Sequence, residues 1–156
     1  MSDTIDTQNP YDNSVIRQYD QHTDDEVDRR LENVVSAQRA WARRSVEERC
    51  EGLKKLAGLL KERKADLALL MTKEMGKPIR QAEGEIDKCT WVCDFYAEHA
   101  PAFLAPEPLE TDARRSSVVF RPLGVVLAIM PWNFPYWQVF RFLVPAIAAG
   151  NGAVLK

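Results

Sequence analysis

Asn133 is the residue whose setting most clearly suggests chemistry. It stands in Pro131-Trp132-Asn133-Phe134-Pro135, where two prolines four apart stiffen the backbone on both sides of it. A carboxamide is neutral and carries two N–H donors, so it can hold a developing oxyanion without titrating. A simpler role competes with this one: the same side chain could cap a helix that starts near Pro135. The other chemistry-bearing residues are scattered. Cys89 and Cys93 are four apart and could share a soft metal, but no His accompanies them on that helix face, which favours a place in the core. Cys50 also falls on an apolar face. His22 and His99 are isolated at segment ends, and Lys61, Arg63 and Lys64 read as a solvated face.

The elements that must position Asn133 can be read on either side of it. Gly124 to Met130 is a continuous apolar, β-branched-rich run, the pattern of a strand buried on both faces of a parallel sheet. Residues 136–149 make an apolar helix, Gly150-Asn151-Gly152 turns the chain, and Ala153 to Leu155 starts another strand. Strand, loop, helix, turn and strand form one βαβ unit, and ligands of open α/β sheets bind beyond the carboxyl ends of such strands. Asn133 lies in that βα loop.

Upstream, the pattern is helical. Thr23 with Glu26, and Ser45 with Glu48, have capping-box spacing, and Asp24, Asp25 and Glu26 suit a helix N-terminus. Val27, Leu31, Val34, Val35 and Trp41 share one face of the first helix; Val46, Cys50, Leu53, Ala57 and Leu60 share one face of the second. A third helix runs from about Lys64 to Met75, stopped by Gly76, and Pro78 opens a fourth at its first turn, reaching roughly Ala100. Pro101, Pro106 and Pro108 then break helix into an extended connector, and Ser116 to Arg121 reads as a strand. Before the helices, residues 1–22 lack helical period, and Ser14 to Arg17 could be a short strand.

Composition bounds the rest. The chain has 156 residues, 46% hydrophobic and 28% charged, with a net charge of −2 and a pI near 5.7. These values give no general attraction to nucleic acid or anionic membrane. The start MSDTIDTQNP has neither a basic nor an apolar signal region, and three cysteines make no disulfide framework, so a cytoplasmic setting is expected. All 23 acidic residues precede position 116, and only Arg121, Arg141 and Lys156 carry charge after it. Such an apolar back half expects to be covered, because a lone βαβ unit cannot bury both faces of its strands. The uncharged stretch 123–140 also permits a tail-anchored membrane reading, opposed by Pro131, Pro135 and the polar Asn133 and Gln138.

Arg121-Pro-Leu-Gly-Val-Val-Leu-Ala-Ile-Met-Pro-Trp-Asn-Phe-Pro, with Pro145-Ala-Ile-Ala-Ala-Gly-Asn-Gly-Ala-Val-Leu-Lys156 downstream, closely resembles the aldehyde dehydrogenase superfamily, and within it the succinate-semialdehyde dehydrogenases. Glu74-Met-Gly-Lys-Pro-Ile79 followed by Glu83 and Glu85 extends the resemblance upstream. It implies an α/β fold: a helical lead-in and helical part of the cofactor domain over 1–115, an oligomerisation-arm strand over 116–123, and the first, incomplete βαβ of a Rossmann-like NAD(P)-binding domain over 124–156. It implies oxidation of a small aldehyde, succinate semialdehyde foremost, to its carboxylate with NAD or NADP, in a homo-oligomer (dimer or tetramer) with no nucleic-acid or membrane partner.

The same resemblance assigns site residues. Asn133 stabilises the oxyanion, and Ile129, Met130, Pro131, Trp132 and Asn133 line the cofactor cleft. Lys156 contacts the adenosine ribose or its 2′-phosphate. Arg141, eight residues past the Asn, holds the substrate carboxylate; otherwise it is a helix-surface Arg lying along apolar neighbours. None of the three cysteines matches the family's nucleophile, and its general-base Glu has no counterpart here. These 156 residues alone are therefore expected to be inactive, either as a truncated remnant or as a non-catalytic subunit that binds partners, with an apolar surface exposed along 118–155.

Overall fold

The computed structural model describes residues 4–156; the first three residues of the start read above for a signal lie outside the described residues. The chain opens with an antiparallel hairpin, β1 (Thr4–Gln8) on β2 (Val15–Asp20). β2 is longer than the expected strand at Ser14 to Arg17, and β1 is an addition. Its Thr-Ile-Asp-Thr-Gln sequence offers no apolar alternation, so only its pairing with β2 reveals it.

Four helices follow: α1 (Asp24–Ala42), α2 (Val46–Glu62), α3 (Lys64–Met75) and α4 (Ile79–Phe103). Both capping boxes form: the Thr23 hydroxyl accepts from the Glu26 N–H while the Glu26 carboxylate accepts from Thr23, and Ser45 and Glu48 do the same. Gly76 ends α3 in the left-handed conformation at φ 71°, where a side chain would be strained. Pro78 is the residue before α4 rather than part of its first turn, and Pro101 lies inside the helix, which continues to Phe103. A proline three residues from the end removes only one hydrogen bond there, and Leu104 N–H closes the turn on the Ala100 carbonyl at 3.0 Å.

The expected connector after α4 carries a strand, β3 (Glu107–Leu109), paired antiparallel with β4 (Ser116–Val118). β4 is shorter than the expected 116–121 because β3 offers three residues, one of them Pro108, which has no N–H to donate. The βαβ unit then forms as expected: β5 (Val125–Ala128), α5 (Trp137–Ala148) and β6 (Gly152–Leu155), with β6 parallel to β5. Burial on both faces of β5 is not achieved. Ala128 is buried, but Leu127 is 61% exposed and Ile129 71% exposed, since the sheet has two strands among the described residues. The stretch 123–140 folds as strand, loop and first helical turn, and no helix among the described residues is long and apolar enough to cross a membrane.

The core lies between α2, α3, α4 and α5, centred on Leu53, Ala57, Ile86, Cys89, Cys93 and Val144. α1 has no fully buried residue; Val27, Leu31 and Val35 of its apolar face stay exposed. Cys89 and Cys93 are fully buried, and burial pushes both thiols up to about 12. In the unfolded chain these thiols ionise near 9, so the folded state retains protons that the unfolded state has lost. Stability should therefore fall as pH rises from about 9 toward 12, a decline that denaturant melts at stepped alkaline pH would record. A Cys89→Ala/Cys93→Ala chain should show a shallower decline.

Candidate functional site

The loop between β5 and α5 is held by residues distant in sequence. α5 begins after Tyr136 with no side-chain cap of its own, and Asn133 makes no side-chain hydrogen bond among the described residues. The cap comes from α4. Glu85, buried, accepts the backbone N–H groups of Tyr136 and Trp137 on Oε1, each at 2.9 Å. Its Oε2 pairs with the buried Lys77 ammonium, which also sits 4.0 Å from the centroid of the Phe134 ring. One carboxylate thus satisfies two orphan donors and places negative charge at the positive end of the α5 dipole. The capping role open to Asn133 is filled by Glu85, and the Asn133 amide is left free in an exposed position.

The other end of α5 is tied as firmly. Arg49 Nε donates to the Ala148 carbonyl at 2.8 Å, Trp41 Nε1 to Ile147 at 2.9 Å, and Gln38 Nε2 to Gly150 at 3.1 Å. A buried guanidinium at a helix C-terminus complements the dipole there. The Gly150-Asn151-Gly152 turn has a physical reason at each position. Gly150 sits at φ 87°, and a Cβ on it would come within 2.8 Å of Pro122 Cγ. Asn151 Oδ1 accepts from the N–H groups of Leu123 and Gly124 at 2.6 and 3.2 Å, setting the start of β5. At Gly152 a Cβ would meet Gln38 Cβ at 3.0 Å, so its absence admits α1 to the sheet.

These braces put the site residues in three places around the loop. Ile129, Met130, Pro131 and Lys156 share the carboxyl end of the β5–β6 sheet: Met130 N–H donates to the Lys156 carbonyl at 3.3 Å, and Lys156 N–H to Ala128 at 2.9 Å. Trp132, 79% exposed, lines a hollow with Leu70, Met71, Glu74, Met75, Pro135 and Tyr136. Arg141 lies on the far side, in a cleft between α4 and α5 walled by Lys77, Gln81, Lys88, Phe134, Trp137 and Gln138. Asn133 stands between the sheet end and that cleft in sequence, but Arg141 does not join the sheet-end group.

Sequence reasoning missed Arg49, read Trp41 only as part of an apolar face and Asn151 only as part of a turn, and gave Lys77 and Glu85 no role beyond their part in the family resemblance. Glu85 carried a usable signal: a carboxylate flanked by Ala82, Ile86 and Cys89 on the buried face of α4 needs an internal partner.

A parallel βαβ unit with a braced loop and exposed polar groups at its carboxyl end has the arrangement at which open α/β sheets take ligands. The chain belongs to the aldehyde dehydrogenase family, whose profile matches residues 1–156. It is 43% identical over 152 residues to a probable succinate-semialdehyde dehydrogenase [NADP(+)] of Synechocystis, covering 97% of this chain and 34% of that protein. It is 44% identical over 132 residues to the succinate semialdehyde dehydrogenase [NAD(P)+] Sad of Escherichia coli, covering 85% of this chain and 29% of that protein. Succinic semialdehyde dehydrogenase from Streptococcus pyogenes, solved in complex with NADP+, superimposes with a TM-score of 0.91 at 38% identity, over 97% of this chain and 33% of that one. The chain therefore spans about a third of the length of the relatives it matches.

Proposed function

We propose that the protein carrying this chain oxidises a short aldehyde, succinate semialdehyde foremost, to its carboxylate with NADP or NAD, and that Asn133 supplies the oxyanion donor. The observation that carries this reading is the free Asn133 amide on a loop fixed by the Lys77–Glu85 pair at the carboxyl end of a parallel strand. Similarity to semialdehyde dehydrogenases supports the substrate class.

The residues present fit a dinucleotide. Ile129, Met130, Pro131 and Trp132 offer an apolar, backbone-rich edge, and exposed Lys156 at the end of β6 offers a cation for the ribose or a 2′-phosphate. Bound there, the nicotinamide would accept the hydride. The chain's own contribution is positional. Glu85 and Lys77 hold the backbone at the start of α5 before substrate arrives, which limits the movement needed to bring the Asn133 amide to the aldehyde oxygen as negative charge grows there. Arg141 binds the remote carboxylate from the α4–α5 cleft.

Residues 116–123, which begin with β4, are the oligomerisation-arm strand in this reading, with 1–115 and 124–156 divided as the resemblance implies and a dimer or tetramer as the assembly. Three free thiols suit the cytoplasm, and the partner is the aldehyde rather than nucleic acid or membrane. Succinate formation from its semialdehyde by the intact protein, followed by NMR with NADP+ or NAD+, tests the activity.

Residues 1–156 by themselves should show no turnover. Burial pushes Cys50 up as well as Cys89 and Cys93, so no cysteine here is a ready thiolate. Aldehyde-dependent formation of reduced nicotinamide by this segment, above Lys156→Ala and Asn133→Ala controls, would contradict that expectation.

A further inference from the structure

We infer that Lys88 is a second specificity cation, holding with Arg141 the remote carboxylate of a short aldehyde acid; this rests on the dehydrogenase reading above. Three cations, Lys77, Lys88 and Arg141, line the α4–α5 cleft, and Glu85 is the one carboxylate among the lining residues. The charge of Lys77 is already matched by Glu85, whose other oxygen takes the two α5 amides. Lys88 and Arg141 form no ion pair and no side-chain hydrogen bond among the described residues. The nearby acid Asp87 is engaged by Lys64 at 2.6 Å. Two cations therefore line the cleft without a counter-ion among the described residues, which favours an anionic ligand.

The Lys88 side chain is also aimed. Its ammonium lies 3.9 Å from the centroid of the Trp137 ring, reaching from α4 across to α5. Trp137 lines the same cleft as Arg141, and so does Phe134, the residue that follows Asn133. A substrate with its aldehyde toward Asn133 and a carboxylate at the other end meets Lys88 and Arg141 together. An uncharged aldehyde of equal length meets neither, and gains nothing from them.

The test compares succinate semialdehyde with butanal in the intact protein. Lys88→Met should lower kcat/KM for the semialdehyde about tenfold to a hundredfold, as expected for a lost charged hydrogen bond. The loss should appear mostly in KM, because the remote charge is held equally in ground and transition states. Butanal turnover should fall far less, and Lys88→Arg should restore most of the loss. Equal losses on both aldehydes, or none on either, would overturn the assignment. A wild type that oxidises neither aldehyde would instead sink the dehydrogenase reading, leaving the anion site to be decided by succinate titration. A succinate-induced shift of the Trp137 indole N–H resonance that disappears in Lys88→Met then supports the site, and no shift in the wild type overturns it.

Discussion

Replacing Glu85 with alanine should destabilise the protein by about 3–5 kcal/mol, the usual cost of breaking a buried ion pair from one side. The substitution leaves the Lys77 ammonium buried without its counter-charge, and strips the acceptor from the Tyr136 and Trp137 amides. Each of those losses is costly alone, because an unsatisfied buried donor loses its water without gaining a partner. For a chain of this size the effect corresponds to a melting temperature lower by about 6–20 °C. The double change Lys77→Met with Glu85→Leu should recover part of the loss, since it removes both charges together. Melts of the three chains by circular dichroism would measure this. A Glu85→Ala chain that melts within about 2 °C of the parent would show that the pair does not brace the loop.

Asn133→Ala should behave in the opposite way, leaving stability intact while removing catalysis. The side chain is exposed and makes no hydrogen bond among the described residues, so its loss strands no partner. Removing one preorganised oxyanion donor lowers kcat by about a hundredfold to a thousandfold in comparable sites. The effect should fall on kcat and kcat/KM together, with KM little changed, because the donor is engaged only as charge develops on the oxygen. Asn133→Asp should be at least as damaging, since a carboxylate opposes the same charge. A variant that lost stability in step with activity would instead point to a structural role for the amide.

Much of the positioning frame is legible in the residues themselves. Capping boxes at Thr23 and Ser45, the glycine stop at Gly76 and the unalternated run before Pro131 are local signals, and each marks an element where the structure has one. What escapes reading depends on pairing or on distant partners. β1 has Ile5 as its one apolar residue, and β3 contains Pro108; both are strands because β2 and β4 lie beside them. The same holds at the site. Asn133 stands out through its flanking prolines, whereas the cap on α5 comes from Glu85, in another helix, so the capping role looked open to Asn133. Arg49 and Trp41 likewise serve α5 from helices far upstream, and nothing in their immediate neighbours announces it.

The most direct test of the oxyanion assignment is the initial rate of reduced nicotinamide formation from succinate semialdehyde, compared between the intact protein and its Asn133→Ala variant of matched melting temperature. The account predicts clear turnover by the parent and a rate about a hundredfold or more lower in the variant. Equal rates in the two proteins, or no turnover by the parent, would contradict it.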